Sequence, residues 1–234
     1  MGPLGNAADY VTDYAAGFAA EYVPEDEPLV FARAIALDLG GAAPVRPNVG
    51  AALRFIACAV SARTAVEIGT GCGSSGIWLL RGMRQGGTLT SVDTEPEYHR
   101  MARQAFTRAG FAANQSRLIL GRALDVLPRL SDGAYDIVFC DTGPRDYLDY
   151  LADALRLLRP GGVVAFNNAL LGSESGRTHL ASAELASVDP ARADLAGTDL
   201  AGADLVSTVR DDERLVPMLL PLGDGLLAAV KRAP

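Results

Sequence analysis

The chain has 234 residues, 49% hydrophobic and 21% charged, which supplies one full core and excludes a disordered or fibrous chain. Its formal net charge of −7 argues against a nucleic-acid backbone or an anionic membrane surface as a standing partner, because either would repel it at long range. A small-molecule partner is expected instead.

Residues 1–60 read as three helical pieces, Ala7 to Tyr22, Glu25 to Leu39 and Pro47 to Val60, separated by Pro24, by Gly40-Gly41 and by the Pro44 to Pro47 break. Their apolar faces exceed what one small sheet needs to cover, so this segment is expected to act as a cap and to support a homodimer. The longest apolar stretch, Val49 to Val60, is interrupted by Arg54 and is too short to span a bilayer. Cys58, Cys72 and Cys140 show no paired or metal-type spacing and lie in or beside segments that read as buried, which fits a reducing cytoplasm.

From Thr64 onward apolar runs alternate with amphipathic segments. Thr64 to Ile68 is followed by a helix over Ser74 to Met83, Thr88 to Val92 by one over Glu95 to Ala109, and Ser116 to Leu120 by one over Ala123 to Leu130. Tyr135 to Cys140, a helix over Arg145 to Leu158 and Gly162 to Phe166 complete the series. This alternation predicts a doubly wound, Rossmann-like α/β fold with a mostly parallel sheet. Leu215 to Leu222 and Leu226 to Val230 flank Gly223-Asp224-Gly225 and read as a C-terminal antiparallel hairpin, which brings the sheet to seven strands. Residues 61–234 then form the main domain, with a surface insertion at about 172–207 that has helical ends. That insertion holds three tandem pentapeptides, Ala193 to Gly197, Thr198 to Gly202 and Ala203 to Ser207. Fifteen residues are too few to stack as a solenoid.

Glu67-Ile68-Gly69-Thr70-Gly71-Cys72-Gly73-Ser74-Ser75 joins the first apolar run to a glycine-rich turn and then to a helix. Glycines at alternate positions let a ligand approach the backbone, and the following helix offers free N–H groups. The second run ends in Asp93, 24 positions after Gly69, where a carboxylate can accept both hydroxyls of an adenosine ribose. Gly71 to Gly76 matches the dinucleotide pattern G-x-G-x-x-G, which on its own is a weak signal and keeps an NAD(P)-dependent reductase as a rival. The acid Glu67 favours S-adenosylmethionine, whose sulfonium and ammonium it attracts, over a pyrophosphate, which it repels.

Ligands of such sheets bind outside the carboxyl ends of the strands. Those ends carry Glu67 to Gly69, Asp93-Thr94, Asp141-Thr142 and Asn167-Asn168. Helix capping by Asp93 and Asp141 is the alternative use of two of them. His99, in a polar helix, reads as a solvated surface residue, and His179, within the insertion, as a surface residue or an acceptor-site base.

On these stretches, together with Gly121 to Pro128, Asp136 to Tyr150, Leu157 to Asn168 and Leu219 to Leu227, the span from about Val45 onward resembles the small-molecule O-methyltransferases of the catechol and caffeoyl-CoA type, particularly their actinobacterial branch. The resemblance implies a class I methyltransferase fold. It also implies that Val45, Glu67, Gly69, Thr70 and Ser75 surround the methionine part of S-adenosylmethionine, that Asp93 holds the ribose, and that Thr94 and Ala123 line the adenine slot. Asp141 would lie between donor and acceptor. It would also be the first ligand of a divalent cation completed by an Asp-Asn pair.

The chain departs from that pattern twice. The pair is Asn167-Asn168, and the lysine expected three residues after Asp141 is Pro144. One carboxylate and two amides leave either a feeble magnesium-type site or none. The only lysine, Lys231, is remote, so Arg145 is the neighbouring cation; it can orient an acceptor but hardly take a proton. The expected reaction is methyl transfer to an oxygen of a small phenolic or catechol-like acceptor. The rival from another class is a cofactor-binding subunit that has lost catalysis and serves regulation or assembly.

Overall fold

The computed structural model describes residues 22–41, 43–170 and 198–233, with the side chains of 198–201 excepted. The expected helix over Ala7 to Tyr22, His179 and the first pentapeptide lie outside the described residues. Among the described residues two helices, α1 (Glu27–Leu39) and α2 (Pro47–Ala59), precede the sheet. The chain then runs β1 (Thr64–Ile68), α3 (Ser74–Gly82), β2 (Thr88–Asp93), α4 (Pro96–Arg108), β3 (Ser116–Leu120), α5 (Ala123–Val126) and β4 (Tyr135–Cys140). It ends with α6 (Tyr147–Leu157), β5 (Leu158–Phe166), α7 (Thr198–Asp211), β6 (Leu215–Leu220) and β7 (Leu226–Lys231).

Among the described residues the strands form one seven-stranded sheet in the order β3-β2-β1-β4-β5-β7-β6. The first five are parallel, and β7 pairs antiparallel with both β5 and β6. The order reverses between β1 and β4, so the ends of those strands open a crevice at the switch point.

Strand alternation sorts side chains to the two faces. Ala65, Leu89, Ile137, Phe139 and Ala165 join the core beneath α2, α3 and α4, while Val66, Ile68, Val138, Val164 and Phe166 join the core beneath α6 and α7. The first face packs closely because a Cβ on Gly50 would stand 2.2 Å from Trp78 Nε1, so only glycine lets α2 settle on α3. Pro at the first turn of α1, α2 and α4 fixes where each begins.

Three expectations are corrected. Helix α7 contains the second and third pentapeptides, and its Leu205 and Val209 are fully buried against the α6 face; this part of the supposed surface insertion is a core helix. Leu200 and Leu205, five apart, obscure the helical stripe that Leu205 and Val209, four apart, complete. His99 is buried, because α4 presents His99, Ala102 and Phe106 inward at helical spacing beneath its charged face. Cys58 is exposed, on the outer side of α2, while Cys72 and Cys140 are buried; all three are free thiols.

Burying Leu205 implies that Leu205→Ala opens a cavity and costs about 2–5 kcal/mol. Urea unfolding will measure it. A change below about 0.5 kcal/mol, the value of a surface substitution, would return α7 to the surface.

Candidate active site

At the carboxyl ends of the parallel strands each chain continues the ladder one step beyond its strand. Gly121 N–H donates to Asp93 O at 2.9 Å, Gly69 N–H to Val92 O at 2.9 Å, Asp141 N–H to Ile68 O at 2.8 Å and Asn167 N–H to Cys140 O at 2.9 Å. These bonds draw four loop starts around a cavity of about 580 Å³, within the range of small-molecule sites. Helix α1 covers one side with Ala32 and Ala36. Val45, Gly69, Thr70, Ser75, Asp93, Thr94, Ala123, Asp141 and Asn168 all line it. Glu67, Arg145 and Asn167 do not.

The glycine turn closes on Asp93. Asp93 Oδ2 accepts the Gly71 N–H and its Oδ1 accepts the Glu95 N–H, both at 3.0 Å, so one carboxylate fastens the turn after β1 and starts the loop after β2. Asp93 does not cap the helix, whose N-cap is Glu95 with no side-chain cap bond; its bond to the Glu95 N–H shapes the turn before it. Asp141 caps nothing; its Oδ1 accepts from Asn167 Nδ2 at 2.8 Å.

Glu67 lies beneath the turn rather than in the wall. It is fully buried, and Ser91 Oγ donates to its Oε2 at 2.6 Å. Ser91 faces it directly in the β1–β2 register and stands 2.7 Å from Thr70 Oγ1, which links the buried acid to a cavity-lining hydroxyl. Burial pushes the Glu67 carboxyl up to about 8, reinforced by Asp141 and Asp93 and opposed by the Ser75 and Ser91 hydroxyls. Burial also pushes Asp141 up to about 6, against the pull of the Asn167 amide.

Tyr147, which sequence reasoning did not single out, does not line the cavity but holds the loop that carries Asp141. Its fully buried hydroxyl accepts the Thr142 N–H at 3.2 Å and stands 2.6 Å from Thr142 O and 2.9 Å from Asn167 O, binding the loop after β4 to the end of β5. The signal was a tyrosine six residues beyond a strand-ending aspartate. Tyr98, Cys72 and Tyr150 also line the cavity. Asn168 takes a left-handed φ of 57°, a conformation asparagine tolerates, and reaches the wall while Asn167 stays beneath it. Arg145 is exposed in the short turn Pro144–Asp146, and Lys231 Nζ donates to Leu155 O and Leu158 O, both at 2.7 Å, far from this chemistry in role.

The sheet order, terminal antiparallel pair and strand-end cavity define a class I methyltransferase fold. The model of the O-methyltransferase family matches residues 41–232, and the chain belongs to that family. It is similar to a protein of Mycobacterium sp. strain KMS named as an O-methyltransferase, 45% identical over 213 residues that make up 91% of this chain and 90% of the relative. A Mycobacterium tuberculosis H37Rv protein, Rv1220c, also named as an O-methyltransferase, is 46% identical over 89% of this chain and 87% of its own. Among solved structures, the O-methyltransferase TomG of Streptomyces achromogenes, in complex with SAM, superposes with a TM-score of 0.75 at 27% identity, covering 97% of both chains. A Corynebacterium glutamicum protein does so with a TM-score of 0.76 at 28% identity, covering 98% of this chain and 99% of its own. Neither a reductase nor a non-catalytic subunit is favoured by these matches.

The buried Glu67 carries a pH signature. The fold holds its proton up to about 8, against a reference value of 4.5, so the stability it contributes is complete below the unfolded value and is lost as pH rises through about 8. Glu67→Gln is uncharged throughout. Urea unfolding at about pH 5 and about pH 9 should show the parent losing more stability than the variant, by on the order of a few kcal/mol. Equal losses would mean that Glu67 ionises freely in the fold.

Proposed function

We propose that the chain transfers the methyl group of S-adenosylmethionine to an oxygen of a small phenolic or catechol-like acceptor. The observation that carries this reading is the single cavity with Asp93 and the glycine turn along one part of its wall and Asp141 along another. Asp93 accepts the ribose hydroxyls, Thr94 and Ala123 flank the adenine, and Val45, Gly69, Thr70 and Ser75 surround the methionine part. Glu67 acts from beneath, through Ser91 and Thr70, as a buried counter-charge to the cationic donor. The SAM complex of TomG, similar over nearly the whole chain, supports this donor.

Transfer would be an in-line displacement in which the acceptor oxygen attacks the sulfonium methyl as the carbon–sulfur bond breaks and S-adenosylhomocysteine leaves, the acceptor proton passing by way of Asp141 to solvent. Holding the two near 3 Å, aligned and shielded from water, supplies on the order of 7–11 kcal/mol of barrier reduction. Asp141 accepts a hydrogen bond from the acceptor hydroxyl and holds it against the donor. Arg145, exposed beside this loop, orients an incoming phenolate by its charge.

Two substitutions separate the halves of the site. Asp93→Ala should weaken donor binding by calorimetry roughly ten- to hundredfold, the value of about 1.5–3 kcal/mol for a charged hydrogen bond. Asp141→Ala should bind the donor within a few-fold of the parent and lower kcat on a panel of substituted catechols by about 10²–10⁴. Unchanged donor affinity in the first, or unchanged kcat in the second, contradicts the corresponding assignment.

We also propose a cytoplasmic homodimer. Three free thiols support the compartment, and no helix among the described residues is long and apolar enough to cross a membrane. Pairing is supported by Phe55 on α2, 73% exposed, beside Val216, Met218 and Val230 on the edge hairpin, an apolar surface continuous with the unpaired edge of β6. Light scattering should give twice the 24.4 kDa chain mass and Phe55→Glu should give the monomer; a monomeric parent at micromolar concentration contradicts the proposal.

A further inference from the structure

The ends of β4 and β5 bring Asp141, Asn167 and Asn168 together, where the family resemblance implies a divalent cation. The residues present do not fit one. Asn167 turns its donor end to the carboxylate, Nδ2 to Oδ1 at 2.8 Å, so its amide oxygen points away and is buried without a hydrogen-bond partner. With Asp141 ionised, reversing the amide would set two acceptor oxygens 2.8 Å apart, so the charged carboxylate selects the donor end of the amide.

The backbone of Asn167 is pinned as well, by its N–H to Cys140 O and by its carbonyl beside the Tyr147 hydroxyl. Of the three side chains at these strand ends only Asp141 is a carboxylate, so the set offers a hard cation a single negative charge. Two facing carboxylates would repel and call for a cation between them. A carboxylate facing an amide N–H satisfies itself.

We propose that the Asn167 amide takes the place of a divalent cation in this chain, orienting Asp141 by a donated hydrogen bond so that methyl transfer proceeds with no bound metal. Asn167 is thus a positioning residue, acting on the acceptor through Asp141. This rests on the reading of Asp141 as the acceptor-side group.

The test uses Mn²⁺ as the probe, with free ion followed by electron paramagnetic resonance in the parent and in Asn167→Asp. The parent should bind no Mn²⁺ tighter than about 1 mM, while Asn167→Asp, regaining a second hard carboxylate, should bind it at least about tenfold more tightly and gain thermal stability when Mn²⁺ is added. A parent that binds Mn²⁺ well below 1 mM overturns the proposal whether or not the variant folds. A folded variant with no gain over the parent also overturns it, since Asn167 would not then be what excludes the cation. S-adenosylmethionine affinity, measured on both by calorimetry, should be equal; its absence in the parent would be a failure of the donor reading, a result distinct from either Mn²⁺ outcome.

Discussion

The approach of Gly69 to Asp141 is the constraint on which the site depends. A Cβ at Gly69 would stand 2.4 Å from the Asp141 carbonyl oxygen, and the residue takes a φ of +94°, so any side chain there is excluded twice over. Because the junction is bare backbone, Asp141 N–H can bond Ile68 O while Gly69 N–H bonds Val92 O. Three strand ends are thereby knotted together. The turn after β1, the carboxylate after β2 and the carboxylate after β4 then have no choice but to surround one volume.

That volume is walled and underlain by carboxylates, which sets its chemistry. Burial raises Glu67 to about 8 and Asp141 to about 6, and a cationic occupant works against both shifts by favouring the ionised carboxylates. A phosphate-bearing cofactor gains nothing there. In the proposed reaction the donor enters as a cation and leaves without its sulfonium charge, so the same environment holds substrate more tightly than product. Tyr147 and Asn167 fix the loop and side chain of Asp141 through hydrogen bonds, the side of the site to which the proposed reaction brings the acceptor.

Much of this was legible in the sequence because the sheet is parallel and covered on both faces. Runs such as Thr64 to Ile68 and Thr88 to Val92 are then buried almost end to end, with bounds set by Gly69 and Asp93. The cavity wall followed from which polar residues ended those runs. What stayed hidden depends on long-range packing. The strand β5 begins at Leu158 instead of Gly162, since Arg159 to Gly161 keep it in the sheet through an irregularity in register opposite Tyr135 to Ile137. His99 and Leu205 were masked by polar neighbours on the other faces of their helices. Glu67 read as a wall residue because spacing cannot tell a side chain that points into a cavity from one that lies beneath it. The orientation of the Asn167 amide is a property of its partner, and no pattern of residues carries it.

The central claim is that one cavity holds the methyl donor by Asp93 and the glycine turn and presents the acceptor oxygen at Asp141. A crystal structure of the protein with S-adenosylhomocysteine and a catechol tests it most directly. The account predicts ribose hydroxyls on the Asp93 carboxylate, adenine between Thr94 and Ala123, and a catechol oxygen within hydrogen-bond distance of Asp141, with Asn167 still donating to that carboxylate. A cofactor bound away from Asp93, or a catechol seated with its oxygens turned from Asp141, would contradict it.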